Sequence, residues 1–77
     1  MHDDASAANT IALDDFLKVR QVVGSGGHAK VEIQAGNVLV NGVVETRRRR
    51  KLVAGDIVDA LGERHVVDGT SIGRVQA

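Results

Sequence analysis

Hydrophobic positions along this 77-residue chain follow two periods, helical in the first half and strand-like in the second. Leu13, Phe16, Leu17 and then Val22 or Val23 recur at helical spacing, which predicts a short amphipathic helix over residues 14–22. Asp14 suits its N-cap or first turn, and Asp14 and Asp15 both complement the positive end of the helix dipole. Lys18 and Arg20 lie off the apolar stripe, and Gly24 is expected to end the helix in the left-handed conformation. Ser25 then caps a second helix from Gly26 to about Ala35, with Ala29 and Ile33 on its buried face and Lys30 beside that face. Gly36 stops it. From Val38 onward the period shortens. Val38 to Val40 and Val43 to Glu45 flank Asn41-Gly42, the strongest short-range signal for a hairpin. A two-residue turn pairs Val40 with Val43 and Leu39 with Val44, and Leu39 and Val44 are expected on the core face. Thr10-Ile11-Ala12 reads as a short edge strand, and Leu52-Val53 leads into a turn at Ala54-Gly55-Asp56. Residues 57–60 read as a third strand and residues 64–67 as a fourth.

Residues 1–9 and 68–77 lack a sustained hydrophobic period and read as tails around one domain, residues 10–67. The expected fold class is α+β: two short packed helices on a small twisted sheet of three to five short strands.

Composition narrows the function classes. The chain is 43% hydrophobic but has one aromatic residue, Phe16, so it lacks the platform on which bases stack in many RNA-binding sheets. It has no cysteine, hence no disulfide framework and no cysteine-based zinc site. Its apolar runs never exceed three residues, far short of a membrane span, and a soluble cytoplasmic protein is the expectation. His2, His28 and His65 show no metal-ligand spacing, and no nucleophile motif or phosphate loop is present. Neither a metal, a cofactor nor an enzymatic activity is expected.

The formal net charge of zero conceals a strong asymmetry. Residues 1–17 sum to −4, residues 18–51 to +6 and residues 52–77 to −2. Most of the positive part is one run, Arg47, Arg48, Arg49, Arg50 and Lys51. One reading of the run is a solvated edge that discourages strand-to-strand aggregation. A nucleic-acid surface is favoured over it, because cations packed this closely repel unless an anion neutralises them. Arginine at four of the five positions suits forked contacts to phosphate. Some of the cations are expected to pair with Glu45, Asp56 or Asp59. Gly26 and Gly27 weaken the second helix by roughly 1 kcal/mol each relative to alanine. They either let backbone N–H groups approach an anion or simply fit a tight helix crossing, and the residues alone favour neither.

The series L-D-x-F-L, then S-x-x-H-A-K-x-x-I-x-x-G-x-V-x-V-N-G, then the basic run, then K-L-x-x-G-D-x-V resembles the S-four-type RNA-binding domain. That family takes its name from a small-subunit ribosomal protein, and the resemblance covers Ile11 to about Ala60. The T-R-R-R-R-K-L segment is similar to the short stand-alone bacterial branch. The resemblance implies a helix pair on a small sheet, the αL type of RNA-binding motif, with RNA lying across the helices and adjacent turns. Position by position it implies RNA contacts at Ser25, Gly26, His28, Lys30 and the Asn41-Gly42 turn. Two departures stand out. Ala12 stands where the family usually has a basic residue and Gly26 where it often has one, which moves the electrostatic weight onto residues 47–51.

The expected function is therefore a non-catalytic module that recognises structured RNA, ribosomal or transfer RNA foremost, through shape and phosphate contacts. The candidate surface comprises Lys18, Arg20, Ser25, Gly26, His28, Lys30, Asn41, Gly42, Arg47, Arg48, Arg49, Arg50 and Lys51. Five displaced counterions give a log–log salt slope on the order of −3 to −5. A monomer is expected, with ribosome or protein association open. The competing readings are a DNA-binding module and an adaptor whose arginine run docks an acidic protein.

Overall fold

The computed structural model describes residues 10–68. The two expected tails, residues 1–9 and all of 68–77 but Asp68, lie outside the described residues. The chain order is β1 (Ile11–Ala12), α1 (Leu13–Val19), α2 (Gly26–Gln34), β2 (Val38–Val40), β3 (Val43–Val44), β4 (Lys51–Leu52), β5 (Ile57–Ala60) and β6 (Glu63–Val66). Antiparallel pairing gives a four-stranded sheet in the order β3-β2-β5-β6 and a separate ribbon of β1 with β4. The fold is α+β, as expected.

Both helices stop in the same way, with different residues. After α2, Gly36 takes φ +85°, its N–H donates to Ile33 O, and Asn37 N–H donates to Glu32 O. This is the six-to-one and five-to-two pattern of a Schellman stop, built on the residue that adopts positive φ most readily. After α1 the equivalent bonds run from Gln21 N–H to Lys18 O and from Val22 N–H to Leu17 O. There Gln21 holds φ +60°. The helix therefore ends three residues earlier than its apolar spacing predicts, and Gln21, not Gly24, takes the left-handed position. The bond from Val22 turns the chain early and lets Val23 reach the core from outside the helix.

The start of α1 has no side-chain cap. Leu13 N–H instead donates to Arg50 O at 2.8 Å and Asp14 N–H to Arg48 O at 2.9 Å. Asp15 N–H donates to Asp14 Oδ1. The basic segment between β3 and β4 thus satisfies amide groups that a helix leaves unpaired at its first turn. In α2 the expected cap forms: Ser25 Oγ accepts from His28 N–H at 3.1 Å.

Register in the first hairpin matches expectation, Leu39 opposite Val44 and Val40 opposite Val43. The face does not. Val38 and Val40 are buried with their cross-strand partners Ala60 and Val58, whereas Val44 is 53% exposed and Leu39 lies on the outer side. Apolar residues occupy both faces of this hairpin, so alternation carries no sign there; burial is decided by β5, which adds its own apolar face to β2. Phe16, Leu13, Leu17, Ala29 and Ile33 from the helices complete the core with Ile11, Leu52 and Val67. Asn41 and Gly42 form the tight turn at φ +52° and +83°. Leu61 and Gly62 repeat that geometry between β5 and β6 at φ +52° and +80°.

Candidate nucleic-acid interface

Residues 47–50 lie in the loop of residues 45–50 between β3 and β4, and Lys51 opens β4. The loop is held by carboxylates on both sides. Glu45, at the end of the first hairpin, accepts from Arg47 backbone N–H at 3.0 Å, from Arg47 Nε at 2.9 Å and from Arg50 Nη1 at 3.0 Å. These bonds, the Arg47 guanidinium and amide first, lower the Glu45 pKa from 4.5 to about 2 against the opposing effect of burial. On the other side stands Asp14, buried in the first turn of α1. Its Oδ2 accepts from Arg48 Nε at 3.0 Å and its Oδ1 from Arg49 Nη1 at 3.0 Å. Arg49 Nη1 also reaches Asp15 Oδ2 at 3.3 Å.

The anion that such a cation run requires is thus supplied in large part by the protein. Of the expected acidic partners, Glu45 takes two arginines. Asp56 and Asp59 take none of the run. Asp56 instead accepts from Asn41 Nδ2 and Val53 N–H, and Asp59 pairs with Arg64. The unexpected partner is Asp14, whose position fits a first-turn acid so well that its local role hides its distant one. The run remains accessible all the same: the side chains of Arg47 and Arg49 are 73% and 65% exposed. Arg47, Arg49, Arg50 and Lys51 line an open depression.

A second group gathers at the start of α2. Arg48 Nη2 and Lys18 Nζ each lie 3.9 Å from the point where a side chain on Gly26 would begin. Two cations from separate elements therefore flank the first helical residue, which carries no side chain of its own. Lys18 is also paired with Asp15 at 3.6 Å. Ser25 precedes Gly26, with its hydroxyl oxygen engaged as the cap. His28 and Lys30 follow on the exposed side of α2, where His28 Nε2 meets Glu32 Oε2 at 3.3 Å. Lys18, Gly26 and the loop thus come together in space.

The S4 domain profile matches residues 6–68 of this chain. The chain belongs to the S4 domain family. Among its relatives is a protein of Escherichia coli (strain K12) named "Putative RNA-binding protein YbcJ", 46% identical over 52 residues, which cover 68% of this chain and 74% of the relative. A Bacillus subtilis (strain 168) relative named "Probable ribosome maturation protein RlbA" is 46% identical over the same length, covering 73% of its own chain.

Within this S4 domain two groups of the candidate surface stand apart from the loop in their bonding. Arg20 donates through Nη2 to Val66 O at 2.8 Å and to Asp68 Oδ2 at 3.3 Å, with its guanidinium carbon 5.4 Å from the centre of the Phe16 ring. It ties α1 to the end of β6. Asn41 donates to Asp56, and its Oδ1 accepts from Ile57 N–H at 2.9 Å, which fastens the first hairpin turn to the start of β5. Among the described residues no cluster of three or more acidic or histidine side chains is arranged for a metal ion, and no helix is long and apolar enough to cross a membrane.

Proposed function

We propose that this S4 domain is a non-catalytic RNA-binding module that docks on structured RNA through the loop of residues 47–51 and the adjoining start of α2. The observation that carries the reading is the meeting of Lys18 and Arg48 at Gly26, continuous with the exposed sides of Arg47 and Arg49. Such a surface combines phosphate-binding groups with a helix end that RNA can approach closely. Phe16, the single aromatic side chain, is fully buried, so recognition rests on shape and phosphates and not on stacked bases. His28 and Lys30 extend the surface along α2. Arg20, held through Nη2, and the Asn41-Gly42 turn, held through the Asn41 side chain, frame it.

Ribosomal RNA is the favoured target, because one relative carries a ribosome maturation name and another an RNA-binding name. Transfer RNA is second. The protein acts as a monomer in the cytoplasm in this reading. Fluorescence-anisotropy titration of a base-paired RNA hairpin tests it, comparing the unsubstituted chain with a folded variant in which Arg47, Arg48, Arg49 and Arg50 are replaced by Gln. Binding that the variant loses supports the proposal. Equal displacement by duplex DNA points to a DNA module, and no binding at low salt directs the search to an acidic protein partner.

A further inference from the structure

Asp14 is an odd residue to find buried at the edge of a cation surface. Its side chain is only 3% exposed, and its cost of burial is offset by Arg48, Arg49 and the Asp15 amide. Buried ion pairs rarely stabilise a fold more than apolar side chains of similar size would. What the pairing does supply is geometry. Asp14 holds Arg48 twice, through its own N–H to Arg48 O and through Oδ2 to Arg48 Nε. With Nε engaged, the far end of that guanidinium is set beside Gly26 and Lys18. Arg49 is held by Nη1 alone, which leaves its Nε and Nη2 without a partner among the described residues.

We propose that Asp14 is a positioning residue for RNA: it grips the Arg48 and Arg49 guanidiniums at one side each, so that their remaining donors meet phosphate beside Lys18 at the start of α2. This rests on the RNA-binding reading above. A flexible arginine loses rotamer freedom when it binds, and an arginine already fixed by a carboxylate has less left to lose. The proposal opposes simple electrostatics. Removing a negative charge from a surface that meets RNA strengthens binding if charge alone matters. Removing Asp14 weakens it if Asp14 sets the arginine geometry.

Asp14→Asn decides between them. Anisotropy with a labelled RNA hairpin is measured for the unsubstituted chain, for Asp14→Asn, for Arg48→Gln/Arg49→Gln and for the triple variant, after circular dichroism confirms each fold. Positioning predicts that Asp14→Asn weakens binding about tenfold in the native background and not at all once both arginines are gone. Equal or tighter binding by Asp14→Asn overturns the positioning role and leaves the RNA reading intact. No binding by the unsubstituted chain overturns both. If Asp14→Asn does not fold, the unsubstituted chain is titrated with the hairpin and followed by NMR at the Arg48 Nε–H. A resonance that stays in place supports a grip kept in the complex, and one that moves to a phosphate-bound position means that RNA displaces Asp14 and overturns it.

Discussion

Glu45 accepts both the backbone N–H and the side-chain Nε of Arg47, two residues further along, through the same carboxylate oxygen. It closes a small ring at the point where the first hairpin gives way to the basic loop, and Arg50 joins from the far end of that loop. The carboxylate is thus a clasp around the loop's two ends, as Asp14 is at its middle.

This clasp has a pH signature. The folded-state pKa of Glu45 is about 2, against 4.5 for an unperturbed glutamate. The unfolded chain therefore binds more protons between those values, and the contribution of Glu45 is present above about pH 4.5 and lost as pH falls towards 2. Glu45→Gln is expected to lower the melting temperature at neutral pH. The gap between the two proteins should narrow as pH drops through that window, which thermal melts from pH 7 to pH 2 would follow. A gap that stays constant with pH would mean that the clasp does not depend on the charge of Glu45.

The two helix stops give an independent check on the backbone. Gln21 and Gly36 hold the same position in equivalent motifs, at φ +60° and +85°. A side chain is strained there and glycine is not. Gln21→Gly is therefore expected to stabilise the fold by roughly 0.5–1 kcal/mol, and Gly36→Ala to destabilise it by about 1 kcal/mol. Urea denaturation of both variants measures the pair; the opposite signs are the test.

How much of this was legible in the sequence depends on the range of each contact. The second helix, its serine cap, its glycine stop and the Asn41-Gly42 register rest on neighbouring residues and read correctly. The end of the first helix did not, because a left-handed Gln21 has no local signature and Gly24, three residues on, has a clear one. The hairpin face was inverted because Val38, Leu39, Val40, Val43 and Val44 are apolar on both sides. Glu45 was legible as an arginine partner, being two residues from Arg47 in the chain. Asp14 was not: 34 residues separate it from Arg48, and only the docking of the loop on α1 joins them.

Asn41 offers a test of framing against contact. Its side chain makes two bonds to the Asp56-Ile57 segment while its backbone holds φ +52°. Asn41→Ala removes both bonds and leaves an alanine in the left-handed region, with an expected loss of roughly 1–3 kcal/mol. Where the variant is folded, its RNA affinity should stay within about twofold of the unsubstituted chain, since that side chain is already committed. Chemical denaturation and anisotropy on the same preparation separate the two effects.

The internal carboxylates also change the expected salt dependence. Five free cations give a slope on the order of −3 to −5, but Asp14, Asp15 and Glu45 neutralise part of the run before RNA arrives. With Lys18 and Lys30 added and Glu32 counted against them, a slope of about −2 to −3 is expected. Anisotropy titrations across a potassium chloride series provide it. A slope near −5 would mean that phosphates displace the carboxylates from the arginines on binding, releasing the full counterion complement.

Gly26 supplies the last test, because its two roles pull a substitution in opposite directions. An alanine methyl there would stand 3.9 Å from Arg48 Nη2 and Lys18 Nζ, an ordinary contact that needs no rearrangement. Alanine is the better helix former, so Gly26→Ala is expected to stabilise the domain by roughly 0.5–1 kcal/mol. The same methyl covers the spot where the two cations and the first turn of α2 converge. If RNA phosphate reaches the backbone at that spot, binding weakens several-fold although the protein becomes more stable. Thermal melts and anisotropy on the one variant give both quantities. A more stable protein with unchanged affinity would confine the interface to the arginine loop.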